Sequence, residues 1–299
     1  MTPLLLGTLA VLLAGPVPAL LARVVRTRRT PRAAMLLWQS VALAAVLAAL
    51  GAGASLATDR AWRRDPDLAA TVVAGVALLV TGLVLGRLLL SGHRVGTRLR
   101  ALRRHHRHQV DLVARRDRAR DGGASVLVLD HDLPVAYCVP GMVGARVVVS
   151  AGAVGRLTEV ELDAVLAHER AHLRARHDLV LEAFSAVHDA FPRWVSSAAA
   201  LGEVRLLVEV LADRAAVRSS DRKALGRALV ELAGSRAAGP GAGVTLGSGV
   251  AGVDLVTRVR LLADGGPHRV QAAVLLVLAA AVLAVPTGFV VAPWLLGLS

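Results

Sequence analysis

The chain has one cysteine in 299 residues, Cys138, which excludes an internal disulfide and any cysteine-rich metal centre. A lone thiol fits a domain kept in a reducing compartment. Acidic residues are also scarce, 22 Asp plus Glu against 35 Lys plus Arg, leaving a net charge of +13. Charge of either sign is almost missing from four stretches, about 2–22, 33–57, 68–90 and 270–299. Each is long enough for the roughly 20 residues that cross a bilayer. With 55% hydrophobic residues and a mean hydropathy of +0.57, the composition excludes one ordinary soluble domain and indicates an integral membrane protein.

A basic soluble protein would first suggest a nucleic-acid partner. Here the arginines cluster beside the apolar stretches, where they set topology and meet anionic lipid head groups, so no direct nucleic-acid partner is expected. Nothing basic precedes the first stretch, so it reads as a retained span rather than a cleaved signal, kinked at Pro16 and Pro18. Arg23, Arg26, Arg28, Arg29 and Arg32 follow the first span, and ten arginines lie within 94–120 after the third. Both loops therefore read as cytoplasmic. The loop between the second and third spans mixes Arg60, Arg63 and Arg64 with Asp59, Asp65 and Asp67, and is placed outside with both termini. Residues 92–269 then face the cytosol, with Arg258, Arg260 and Arg269 flanking the fourth span. Arg87, near the inner end of the third span, is expected to snorkel to the head groups. The expected location is the cell (plasma) membrane, as a multi-pass protein.

The pattern predicts three transmembrane helices within 1–91, a basic juxtamembrane helix at 92–123, and a folded domain at 124–233. A Gly-rich linker and juxtamembrane helix at 234–269 and a fourth span at 270–299 complete it. The basic stretch is expected to leave the membrane along the lipid surface, and His105, His106 and His108 within it are not expected to bind metal among so many arginines. SVLVL at 125–129 and RVVVS at 146–150 read as strands, with Pro140 and Gly141 in the turn between them. Thr158 followed by Glu161 is a capping-box spacing ahead of Leu162, Val165 and Leu166, predicting a helix from about 159 to 177. Further helices are expected over roughly 179–190, 200–218 and 221–234.

The first of these helices carries the chemistry. His168-Glu169-Arg170-Ala171-His172 is an HExxH pattern, which random shuffling of this composition yields in about one chain in a hundred. Spacing of four puts His168 and His172 on one helical face, where two imidazoles can grip one zinc, with Glu169 beside them to take a proton from water. Such a zinc needs a third protein ligand. Asp178 occupies the place of a third ligand in an HExxHxxGxxH-like arrangement, but Ala175 stands where that pattern has its turn-making Gly. His188 has no motif around it. Glu209 lies on a later amphipathic helix, with Asp213 one turn on, placed to hold a histidine's second nitrogen. The residues alone leave these three open. For the oxyanion, Tyr137, Arg214 and Arg218 are candidates.

AYCVPG at 136–141, RVVVS, ELDAVLAHERAHLRARHDL and LVEVLADRAA at 207–216 occur in an order that resembles the BlaR/MecR-type membrane zinc metallopeptidases, relatives of the HtpX and CAAX prenyl endopeptidases. The resemblance covers most of the chain and includes a protease domain placed between the third and fourth spans. It implies a four-span α-helical membrane protein with an inserted, mainly helical α+β zincin-type (gluzincin) domain. It further implies one zinc on His168, His172 and Glu209, general base Glu169 and a supporting Asp213, and it suggests that the strand at 146–150 pairs with an extended substrate. The implied activity is cleavage of a cytosolic protein, a transcriptional repressor, in regulatory signalling. Membrane-protein quality control and a catalytically silent sensor or scaffold are the competing readings. The antibiotic-sensing members carry a penicillin-binding sensor after the last span, whereas this chain stops at Ser299, so a direct β-lactam receptor role is not expected.

Overall fold

The computed structural model describes residues 2–61, 67–141, 144–192, 195–237, 251–264, 266 and 268–296. In chain order the helices are α1 (Thr2–Ala14), α2 (Pro16–Leu21), α3 (Pro31–Ala61) and α4 (Leu68–Val113). Then come strands β1 (Arg115–Arg116), β2 (Ser125–Leu129), β3 (Ala136–Val139) and β4 (Arg146–Ser150). Helices α5 (Ala151–Arg156), α6 (Glu159–Ala175), α7 (His177–Ala190), α8 (Ser197–Ala216), α9 (Arg222–Ala237), α10 (Ala251–Ala263) and α11 (Arg269–Leu296) follow. Most of the predicted Gly-rich linker, and Arg63, Arg64 and Asp65 of the predicted outer loop, lie outside the described residues. Two compact units emerge, one of residues 1–95, 183–204 and 268–299, the other of 96–182 and 205–267.

The first unit contains the apolar spans. Among the described residues, four candidate spans, Thr2–Leu21, Pro31–Asp59, Leu68–Val113 and Arg269–Val290, are long and apolar enough to cross a membrane. The first is broken at Gly15, because Pro16 has no N–H to continue the ladder. Helix α3 packs against both α1 and α11 and buries Ala44, Ala48 and Trp38. Small residues permit that approach: a methyl group on Gly51 would meet Leu6 and Val290, and one on Gly53 would collide with Thr81. Gly75 and Gly82 have open space around them. Arg87 departs from the snorkelling expected of it. Its guanidinium donates to the Ala190 carbonyl at 3.2 and 2.7 Å and lies 5.7 Å from the Phe191 ring centre. The carbonyls at the end of α7 are otherwise unsatisfied acceptors, which is the physical reason a nearby cation is drawn to them.

The basic stretch after the third span is not a separate surface helix. It is the second half of the 46-residue α4, which contains no proline to end it. Several of its charges are matched by protein rather than lipid: Arg103 pairs with Asp178 and Glu182 at 3.3 and 3.4 Å, and Asp111 pairs with Arg146 at 3.0 Å.

The second unit is built on a four-stranded sheet of order β1-β2-β4-β3. β2 runs parallel to β4, with Val126 opposite Val147, and β3 runs antiparallel to β4, with Cys138 opposite Val147. One face, Val126, Ala136, Val147 and Val149, packs on Leu162, Val165 and Leu166 of α6. The other, Leu127, Val139 and Val148, packs on Val110. β4 is therefore covered on both faces and bonded along both edges, which corrects the expectation that it pairs with substrate. Its unalternating RVVVS is the signature of such an interior strand. The outermost strand beside it is β3, which lies where only the turn at Pro140 and Gly141 was expected.

Candidate metal centre

Helix α6 begins where its sequence requires. The Thr158 side chain accepts from the Glu161 amide at 3.4 Å, and the Glu161 carboxylate accepts from the Thr158 amide at 3.0 Å, so two N-terminal amides gain partners reciprocally. The last residue to follow the helix, Arg176, takes left-handed angles, φ 50° and ψ 43°. Ala175 stays helical, as its Cβ prefers, and the turn falls one residue later than in the glycine-containing pattern. Asp178 consequently pairs with Arg103 and Arg176, and His188 bonds to Ser197 at 2.9 Å.

The third candidate is the one brought to the histidines. Among the described residues, one group of metal-ligating side chains gathers: His168, His172 and Glu209, with one donor atom of each within 4.8 Å of the others. The two imidazole Nε2 atoms are 3.1 Å apart. Glu209 places one oxygen 3.5 Å from His168 Nε2 and the other 3.6 Å from His172 Nε2. Four-coordinate zinc with bonds of 2.0–2.1 Å has ligand-to-ligand edges of roughly 3.3 Å, so these spacings straddle the expected value. Two imidazole nitrogens facing each other so closely also require a proton or a cation between them. The donor set fits a small, nitrogen- and oxygen-liganded divalent metal.

Each histidine is backed at its other nitrogen. His168 Nδ1 lies 2.9 Å from Asp213 Oδ1, an electrostatic contact rather than an in-line hydrogen bond. His172 Nδ1 lies 3.2 Å from His177 Nδ1. His177 was missed by sequence reasoning; it stands five residues beyond His172, on the first turn of α7, delivered by the left-handed Arg176. Burial opposes charge on all three imidazoles. At His168 the Asp213 and Glu209 carboxylates outweigh burial and raise the pKa to about 10. At His172 and His177 burial prevails and lowers it to about 4. Glu209 is held well below the usual carboxylate range because, against burial, His168 and Arg258 favour its charge.

Arg258 is the second residue that sequence reasoning placed elsewhere, beside the fourth span. It forks onto Asp213 at 2.8 and 2.7 Å and reaches Glu209 at 3.0 Å. Only the separation of 45 residues from Asp213 hid it. Glu169 is half-buried and lies by the Cys138 thiol of β3; burial and that carboxylate push the thiol pKa up. Tyr137 lies on the opposite sheet face and bonds to His106 at 3.0 Å, which removes it as an oxyanion donor. Arg214 is half-buried and loses charge preference to burial.

A model of the family described as BlaR1 peptidase M56 matches residues 60–261, more than half of the chain. The chain belongs to the BlaR1 peptidase M56 family. No curated protein and no solved structure matches it. Family and fold agree at the coarse level: this M56 chain is a mostly helical membrane metallopeptidase with, among the described residues, four candidate spans and a small sheet.

Proposed function

We propose that this M56 chain is a membrane-embedded zinc endopeptidase of gluzincin type that cleaves a cytosolic protein, a transcriptional repressor in regulatory signalling. The observation that carries the reading is the convergence of Glu209 on the two HExxH histidines. His168, His172 and Glu209 would hold the zinc. When bound, such a zinc polarises a scissile carbonyl and lowers the pKa of water. The Glu169 carboxylate takes the proton from the attacking water and passes it to the departing amine nitrogen. The Cys138 thiol of β3 is the neighbour of that carboxylate. Asp213 and His177 fix the two ligand rings. The outer edge of β3, rather than β4, offers its backbone to an extended peptide.

The proposed topology puts both termini outside and the peptidase unit in the cytosol of a multi-pass plasma-membrane protein, because the arginine-rich loops follow the first and third spans. Reporter fusions to either terminus active only in the cytosol would reverse it. For the activity, Glu169→Gln should retain metal while hydrolysis of the chain itself or of a co-expressed repressor falls by about 10²–10⁴. Undiminished cleavage would sink the mechanism. Cleavage of many unrelated membrane proteins would redirect the reading to quality control.

A further inference from the structure

On α10, Leu255 and Leu262 lie three residues before and four after Arg258, so the three share one helical face. The two leucines pack with Ala164, Ala216, Leu225 and Leu229, and Arg222 donates to the Leu262 carbonyl at 2.9 Å. That docking carries the Arg258 side chain, only 13% exposed, to two carboxylates. One edge of the guanidinium takes both Asp213 oxygens, and Nη1 meets Glu209 Oε2. We propose that Arg258 is a positioning residue of the metal centre: it fixes the angle at which Glu209 faces the imidazoles and holds Asp213 against His168.

This rests on reading the site as metal-binding. The fork has a geometric consequence that charge alone does not. A cation this close repels a divalent metal, so on charge alone removing Arg258 would tighten binding. Positioning predicts the opposite, since loss of groups that orient metal ligands weakens affinity by about 10- to 100-fold. Lysine keeps the charge but cannot reproduce a planar two-point clamp. Arg258 also stands eleven residues before α11 begins at Arg269, so this contact comes from the segment that leads into the fourth candidate span.

The test is the zinc dissociation constant of the full detergent-purified chain, by chelator competition, for wild type, Arg258→Gln and Arg258→Lys, with circular dichroism of each metal-free form. Arg258→Gln should bind about 10- to 100-fold more weakly with unchanged helical signal, and Arg258→Lys should recover only part of the loss. Wild-type or tighter binding by folded Arg258→Gln overturns the proposal. If that variant does not fold, Arg258→Lys decides: a loss of several-fold supports the proposal, and wild-type affinity overturns it. A wild-type chain that binds no zinc ends the peptidase reading itself, a result distinct from either.

Discussion

Loading the centre with metal should displace one proton, and the count should stay flat where ordinary histidines would make it slope. In the metal-free site His168, with its pKa raised to about 10, carries a proton throughout the neutral range. His172, lowered to about 4, carries almost none above pH 5, and Glu209 is already ionised. Binding at pH 5, 6 and 6.5 should therefore release about one proton each time, with the apparent association constant rising about tenfold per pH unit. Two unperturbed histidines with pKa near 6.5 would instead release about two at pH 5 and about one and a half at pH 6. The window stops below neutrality because solvent at a metal centre begins to ionise near pH 7. Calorimetric titration of zinc in buffers of different ionisation enthalpy gives the count directly. Asp213→Asn removes the carboxylate that does most to hold the His168 proton, and should lower the count at pH 6.5. A sloping count in wild type, or none, would refute the claim that Asp213 and Glu209 overcome the burial of His168.

The same groups set the acid and base limits of the metal-free fold. His168, with its pKa raised, stabilises it below pH 6.5 and loses that contribution as pH climbs through about 10; His172 and His177, lowered, contribute above 6.5 and lose it as pH falls towards about 4. The melting midpoint of chelator-treated protein should thus peak near pH 6.5, and a midpoint still rising to pH 10 would contradict it. At Gly152, on the first turn of α5, an added methyl would collide with the Asp132 backbone carbonyl. Gly152→Ala should destabilise the fold by about 1–3 kcal/mol in denaturant titration, and an unshifted midpoint would show that the 132–133 backbone yields freely.

Much of this molecule is written in short-range pattern. The four charge-free stretches, the Pro16 break, the Thr158–Glu161 box and the two β-branched runs at 125–129 and 146–150 depend on neighbours within a turn or a strand. Helix period and backbone chemistry decide such features locally, so they can be read without the fold. The spacing of His168 and His172 likewise needed only one helix. What joined them did not. Which of Asp178, His188 and Glu209 approaches the imidazoles depends on how separate helices cross, and only tertiary packing sends Asp178 to Arg103 and brings Glu209 in. Sheet order is equally non-local: RVVVS looks the same whether it is an edge or a centre until β3 is seen paired to one side of it. Arg258 marks the limit most plainly, because its sequence neighbours speak of the coming span while its fork is on Asp213. A buried cation goes to the carboxylates that compensate its desolvation, and their place is fixed by packing, not by distance along the chain.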